Sequence, residues 1–526
     1  MGLINGVPLL YSFLLGCLLL SLHAKSTSLN RTTYIVSMDV SLMPKPFTNL
    51  HNWYSSTIDS LKFANPAPFN NHQSSSPSLV FTYKHVFSGF CAHVSLYELK
   101  ALKKSLGFIS ATKDRSLMLH TTYSPKFLNL NPSTGLWPAW NYGEDVIVGV
   151  IDSGVWPESE SFKATGMPTK VPKKWKGTCE VGQNFNSSLC NAKLIGARYI
   201  NKGLIKSKPN IKIRMNSARD TRGHGTHTSS FIAGNYINDA SYFGYASGIA
   251  KGVAPRARLA IYKVSWDEGS YSSDALTGMD QAIADGVDII SISMSSRANE
   301  VPLHRDFLAI GSFSALEKGV LVSTSAGNKG SSGNEIIRSG YPWFLTVTAG
   351  TIDRLFAGTL ALENGISITG WTTFVGNAII RDLPLVYDNR RVSCDKVFSD
   401  IPYGIIICNG FRPLSYQIER IAETHALGAI FIASGPISSE IEFMKETPCP
   451  CILITQTDGV ALIQYYKSTS KHLANMTFFQ TVTGIKPAPL VAANALRGPS
   501  RFPGILKPDV MAPGAPVLAA WSPNIE

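Results

Sequence analysis

Val146-Ile-Val-Gly-Val-Ile151 is an almost unbroken apolar run, the pattern of a strand buried on both faces of a parallel sheet. Similar runs recur at about Ala257 to Val264, Val287 to Met294, Val320 to Ser325 and Leu345 to Ala349. Between them, Ser273 to Ile283 and Asp306 to Leu316 space their apolar residues as helices do. Strand, helix, strand in repetition predicts an α/β domain with a doubly wound parallel sheet, whose ligands gather at the carboxyl ends of strands. The texture differs on either side of this region. Upstream, Tyr34 to Met38, Leu79 to Ser95 (one or two strands) and Phe108 to Ala111 read as strands. A loop rich in Asn, Pro and Ser runs up to about Ser78. Ser95-Leu-Tyr-Glu98 is a capping box that opens a helix with Leu99, Leu102 and Leu106 on one face. These elements make a small α+β unit ending near His120. Downstream, from about Leu355 to Thr483, short apolar runs at Val392 to Cys394, Ile405 to Cys408 and Gly428 to Ala433 surround a helical stretch, Tyr416 to His425. That predicts an inserted β-rich module. From Pro487 the chain reads as Gly- and Pro-rich loops.

A first apolar run, Val7 to Leu22, is short for a membrane span and leads into Leu22-His-Ala24, a cleavage-site pattern. Residues 1–24 are therefore expected to be a removed signal peptide. Secretion fits the cysteines, since Cys17 leaves with the signal. Cys179 with Cys190 and Cys394 with Cys408 are expected as disulfides of an oxidising compartment. Cys449-Pro-Cys451 is too tight to hold one ion. Asn30, Asn186 and Asn475 begin glycosylation sequons. The length, 526 residues with 44% hydrophobic and 16% charged, sets the expectation at two to four globular domains. The net charge of +12 comes from scattered Lys and Arg, with no nucleic-acid-reading motif among them. It argues for a soluble surface suited to polyanionic surroundings and against a nucleic-acid partner.

The candidate chemistry lies at three points. Glycines bracket His224 in Arg222-Gly-His-Gly-Thr-His227, which predicts a tight turn running into a buried helix, with an imidazole placed to act as general base. Asp152 ends the first buried strand, where a carboxylate can fix an imidazole's tautomer and steady the imidazolium. Asn328, in Ser323-Thr-Ser-Ala-Gly-Asn-Lys-Gly330, offers a neutral amide donor for an oxyanion, worth about 3–4 kcal/mol of barrier in a dry site. A metallohydrolase built on His224 and His227 lacks the His-Glu-x-x-His spacing, so no metal and no cofactor is expected.

The order Asp152, His224, Asn328, each within its own dense motif, resembles the subtilisin-like serine proteases, in wording closest to the plant secreted branch. The matching stretches are Gly143 to Ser159 (GEDVIVGVIDSGVWPES), the Gly-His-Gly-Thr-His run and Gly504 to Gly514 (GILKPDVMAPG). The resemblance implies a subtilisin-like doubly wound sheet, with Asp152 as orienting acid, His224 as base and Asn328 in the oxyanion hole. It implies an inhibitor-type propeptide at 25–120 that plugs the cleft, and a catalytic domain at 121–526 starting at Thr121. The insertion at 355–483 resembles a protease-associated domain, whose role in the family is substrate access or self-association as a homodimer. The backbone of Ser293, Met294 and Ser295 would line the primary specificity pocket. Ser295 stands where a glycine is usual, and its hydroxymethyl narrows that pocket. Polypeptide substrates and an extracellular location, in the apoplast or cell wall, follow from the same resemblance, with no membrane attachment after signal removal.

One part of the pattern is missing. The family's nucleophile lies in Gly-Thr-Ser-Met after Met-Ala-Pro-Gly, and residues 1–526 contain neither that motif nor Gly-x-Ser-x-Gly. The expectation is a serine endopeptidase working by Asp-His-Ser acyl transfer, with the serine-bearing segment absent from these residues, so that they are inactive as they stand. The rival expectation is a non-catalytic secreted homologue that binds peptides or proteins.

Overall fold

The computed structural model describes residues 31–63, 76–85, 87–114, 117–119, 126–130, 133–296, 301–330, 336–376, 378–388, 394, 403–410, 413–435, 437 and 447–523. The expected signal peptide, Asn30, the Thr121 terminus and Val392 lie outside them. The chain divides into two compact units, one made of residues 1–82 and 88–114, the other of 83–87 and 115–526.

In the first unit β1 (Thr32–Met38), β2 (Ser78–Tyr83), β3 (Gly89–Val94) and β4 (Phe108–Lys113) form a sheet of order β2-β3-β1-β4. β1 runs antiparallel to both its neighbours. Two helices, α1 (Leu50–Ser60) and α2 (Leu96–Leu102), supply its core with Trp53, Tyr54, Ile58, Leu99 and Leu102 against Tyr34, Val36 and Phe90. α2 opens on the full capping box, Ser95 with Glu98. Two expectations need correction. α2 stops at Leu102, so Leu106 leaves the helical face and is exposed. The polar stretch taken as a loop contains α1, which starts where Asn49 accepts from the N–H of Asn52.

The second unit is built on seven strands: β6 (Ile147–Asp152), β7 (Leu194–Tyr199), β10 (Arg258–Lys263), β13 (Ile289–Ile292), β15 (Leu321–Ser325), β16 (Leu345–Thr351) and β24 (Val510–Ala515). Their order is β24-β16-β15-β13-β6-β10-β7, all parallel. Every residue of β6 and β10 is buried, as a central strand covered on both faces requires. β13 and β15 instead alternate between buried and less buried positions, so one face of that half of the sheet is more open. The doubly wound sheet is as expected, and two local readings change. β24 falls in the stretch read as loops, its Pro513 tolerated because β24 is an edge strand. The run from Val287 to Met294 breaks at Ser293. Beyond the break, β14 (Met294–Ser296) pairs antiparallel with β5 (Leu117–Leu119), away from the parallel sheet. β11 (Ser265–Trp266) and β12 (Gly269–Ser270) form a short ladder after β10. α3 (His224–Ala233), α4 (Ser272–Asp285) and α5 (Phe307–Glu317) pack against this sheet, with Gly311 of α5 letting Met279 of α4 approach closely.

Residues 354–483 close into a barrel of order β17-β18-β22-β21-β20-β19-β23. Its strands are β17 (Arg354–Leu362), β18 (Ser367–Trp371), β19 (Ile380–Val386), β20 (Ile405–Cys408), β21 (Gly428–Ile432), β22 (Cys451–Ile454) and β23 (Leu473–Thr483). The first and last pair antiparallel, with Arg354 opposite Thr483, so the chain enters and leaves the barrel side by side. A hairpin unforeseen in the sequence, β8 (Ile237–Tyr242) and β9 (Tyr245–Ala250), follows α3 and grips the barrel. Tyr245 is fully buried, stacks on Phe356 at 5.4 Å, and donates its hydroxyl to the Phe374 carbonyl at 2.9 Å. Tyr245→Phe removes that bond and leaves a buried carbonyl bare. It should destabilise the protein by about 1–2 kcal/mol, read as a lower denaturation midpoint.

Cys179–Cys190 and Cys394–Cys408 are bonded, and Cys449 and Cys451 are joined across Pro450. Among the described residues no helix is long and apolar enough to cross a membrane.

Candidate active site

Asp152 is the last residue of β6, fully within the sheet core at 1% exposure. His224 is the first residue of α3, and Gly223 before it has φ of 76°, the left-handed turn that lets the helix start there. The two side chains meet. Nδ1 of His224 lies 2.6 Å from Oδ1 of Asp152. A carboxylate at Nδ1 accepts its proton and leaves Nε2 as the basic nitrogen. Asp152 is held in turn: the N–H of Ser153 donates to Oδ1 at 2.7 Å and the Thr228 hydroxyl to Oδ2 at 3.2 Å.

The loops that carry the pair are laced together. Val155 takes its N–H to the Ala218 carbonyl, and Asp220 takes its own to Val155. Trp156 stacks under the Arg219 guanidinium at 4.5 Å, and Arg219 makes a bidentate contact with Glu158. That pairing holds the Glu158 carboxyl below its ordinary range. This is what the Gly-Val-Trp-Pro-Glu wording after Asp152 does physically. Gly154 and Gly225 let the two backbones touch. A Cβ on Gly154 would lie 2.4 Å from the Ala218 carbonyl, and one on Gly225 would lie 2.2 Å from the Gly154 carbonyl.

Four residues of this platform escaped the sequence reading as contributors: Ser153, Thr228, Asp220 and Lys263. Lys263 is 1% exposed on β10, in register with Asp152, and donates to the Arg219 carbonyl at 2.5 Å. Burial pushes its ammonium down to about 8. The available signal was its position at the end of the apolar run Leu259 to Tyr262, where a buried charged residue needs a reason. His227, read as structural, lies edge-on to Trp521 at 5.9 Å. Among the described residues no cluster of His, Cys, Asp and Glu could hold a metal ion.

Ser293, Met294 and Ser295 follow β13 and are all buried, and Asn328 stands three residues past β15, half buried after Gly327 with φ of 118°. β6, β13 and β15 are adjacent, so Asp152, Ser293 and Asn328 occupy one carboxyl edge of the sheet. Antiparallel pairing of Leu119 with Met294 and of Met118 with Ser295 fills the free side of β14. Of the sequons, Asn186 is exposed and caps a short turn through Ser188. Asn475 is half buried on β23 and accepts from the Asp382 N–H.

Comparison with known proteins agrees with this geometry. The family described as "Subtilase family" matches residues 143–524, and "Peptidase inhibitor I9" matches residues 33–120. The chain is 49% identical to Subtilisin-like protease SBT3 of Solanum lycopersicum over 513 residues, covering 96% of this chain and 66% of that protein. It is 40% identical to Subtilisin-like protease SBT1.9 of Arabidopsis thaliana over 507 residues, 94% of this chain and 66% of that one. The chain thus spans about two thirds of the length of the curated relatives it matches. Among solved structures, fervidolysin from Fervidobacterium pennivorans, a keratinolytic enzyme related to subtilisin, aligns with 62% of this chain and 44% of its own. The TM-score is 0.37 at 14% identity, too loose to carry an argument.

Proposed function

The chain belongs to the subtilase family, and from that premise we propose that it supplies the acid, the base and the oxyanion donor of a secreted serine endopeptidase. The observation that carries the reading is the 2.6 Å contact between Asp152 and Nδ1 of His224 at the carboxyl edge of a parallel sheet. In this reading a serine hydroxyl attacks the scissile carbonyl while Nε2 of His224 takes its proton. Asp152 holds the resulting imidazolium, and the Asn328 amide donates to the oxyanion. The C–N bond then breaks, the leaving amine takes the proton from His224, and water releases the acyl group by the same route. β14, with Ser293 and Ser295, would present the extended substrate and its first pocket.

Residues 25–120 would act as the inhibitor-type propeptide, supported by the I9 match at 33–120 and by the ladder between β5 and β14. Residues 121–526 would belong to the catalytic domain, with 355–483 as a protease-associated module able to mediate self-association. The disulfides Cys179–Cys190 and Cys394–Cys408 support an extracellular, oxidising location. The exposed Asn186 is the best presented of the glycosylation candidates.

No Gly-Thr-Ser-Met occurs within residues 1–526. A polypeptide of these residues alone is therefore expected to take no label from a fluorophosphonate probe. A polypeptide that continues into a Gly-Thr-Ser-Met segment is expected to take the label at that serine, to hydrolyse peptides, and to lose both with His224→Ala. Specific labelling within 1–526, or indifference of the longer polypeptide to His224→Ala, would sink the assignment.

A further inference from the structure

We propose that Asp220 is a positioning residue for the Asp152–His224 pair: a second buried carboxylate that sets how α3 meets the end of β6 without touching the imidazole. The inference rests on the reading of Asp152 and His224 as acid and base.

Asp220 is fully buried, and five donors converge on it. Oδ1 accepts from the N–H of Arg222 at 2.9 Å, the N–H of Gly223 at 3.0 Å and the Ser153 hydroxyl at 2.9 Å. Oδ2 accepts from the N–H of Thr226 at 2.9 Å and its hydroxyl at 2.6 Å. These contacts straddle His224 in sequence, two residues before it and one after. The carboxylate therefore fixes the left-handed turn and the first turn of α3 as one piece.

The link to Ser153 makes this more than a local turn. An aspartate that only closes a turn bonds to backbone two or three residues ahead, as Asp220 does to Arg222 and Gly223. Its third partner lies 67 residues upstream, next to Asp152. The Ser153 hydroxyl also accepts from the N–H of Gly225 at 2.8 Å, while the Ser153 N–H donates to Asp152. A second chain of hydrogen bonds, Asp220 to Ser153 to Asp152, thus runs beside the direct Asp152–His224 contact. On the far side, Lys263 holds the Arg219 carbonyl and the Ser522 hydroxyl holds the Asp220 carbonyl. A working site tolerates displacements of only about 0.5 Å. Swinging the start of α3 that far would move the imidazole off its carboxylate.

The test is proton NMR on a polypeptide of residues 1–526. The Nδ1 proton shared by His224 and Asp152 is expected as a separate low-field line, assigned by its loss in His224→Ala. Asp220→Asn puts an NH2 group where two donors point, and should shift that line upfield or erase it. Ser153→Ala and Thr226→Val, which keep the carboxylate, should move it in the same direction by less. Melting temperatures are taken alongside. If the variants melt lower with the line unmoved, Asp220 merely stabilises its turn and the proposal is overturned. If Asp220→Asn fails to fold, the other two variants decide by the same criterion. Absence of the line from the unaltered polypeptide would instead overturn the acid–base pairing, and this inference with it.

Discussion

Gly225→Ala is expected to destabilise the protein by roughly 3–5 kcal/mol and to separate His224 from Asp152. Helix propensity alone points the other way, since alanine is favoured over glycine inside a helix by about 1 kcal/mol. The added methyl, however, has nowhere to go. It would meet the Gly154 carbonyl at 2.2 Å, the Gly154 nitrogen at 2.9 Å and the Ser153 nitrogen at 3.1 Å. All three are backbone atoms of the loop that continues β6, so no rotamer change relieves the overlap. Either α3 backs away, stretching the 2.6 Å contact, or the loop after Asp152 gives up its bonds to Ala218 and Thr226. Denaturant unfolding of the variant measures the loss. A stability within about 1 kcal/mol of the unaltered protein would show that the two backbones are not in contact there.

Stability should also fall by about 3 kcal/mol between pH 6.5 and pH 4 because of His227. Burial, reinforced by the neighbouring His224 and opposed by Asp152, pushes its imidazole down to about 4 from 6.5. Its buried Nδ1 has no hydrogen-bond partner among the described residues to offset a charge. Below about pH 6.5 the unfolded chain takes up a proton that the folded chain refuses until about pH 4. The contribution is therefore whole above 6.5, drains away as pH falls through that window, and is constant below it. Carboxylates titrate in the same range, so the informative quantity is a difference. His227→Phe, which keeps a ring against Trp521, should show a shallower acid limb. A difference curve that is flat from pH 4 to 6.5 would exclude His227 as the source.

Much of this was legible in the sequence, for physical reasons that differ by element. β6 and β10 are covered on both faces, so their apolar runs could hardly be anything else. Asp152, His224 and Asn328 were legible as candidates because each stands where a regular element meets a tight turn. α1 was lost because only Trp53, Tyr54 and Ile58 of its eleven residues are buried, leaving a mostly polar stretch. β24 was lost because Pro and Gly mask a strand that bonds on one side only. The hairpin carrying Tyr245 has little alternation to read, since it is held by aromatic contacts with a barrel more than a hundred residues away. Asp220 illustrates a deeper limit. Its spacing to Arg222 and Gly223 hints at a turn, but the hydroxyl of Ser153 reaches it only through the tertiary fold.

The ladder between Leu117–Leu119 and Met294–Ser296 joins two parts of one polypeptide, and this sets the terms on which any rival can displace it. While the backbone between them is intact, the inner segment is present at an effective concentration on the order of millimolar. A free peptide at micromolar levels is outnumbered before affinity is considered. Once that backbone is severed the advantage of tethering ends, and three residues of pairing must compete as an ordinary solute. A single cut between the two strands would thus ease displacement without any change in the ladder itself.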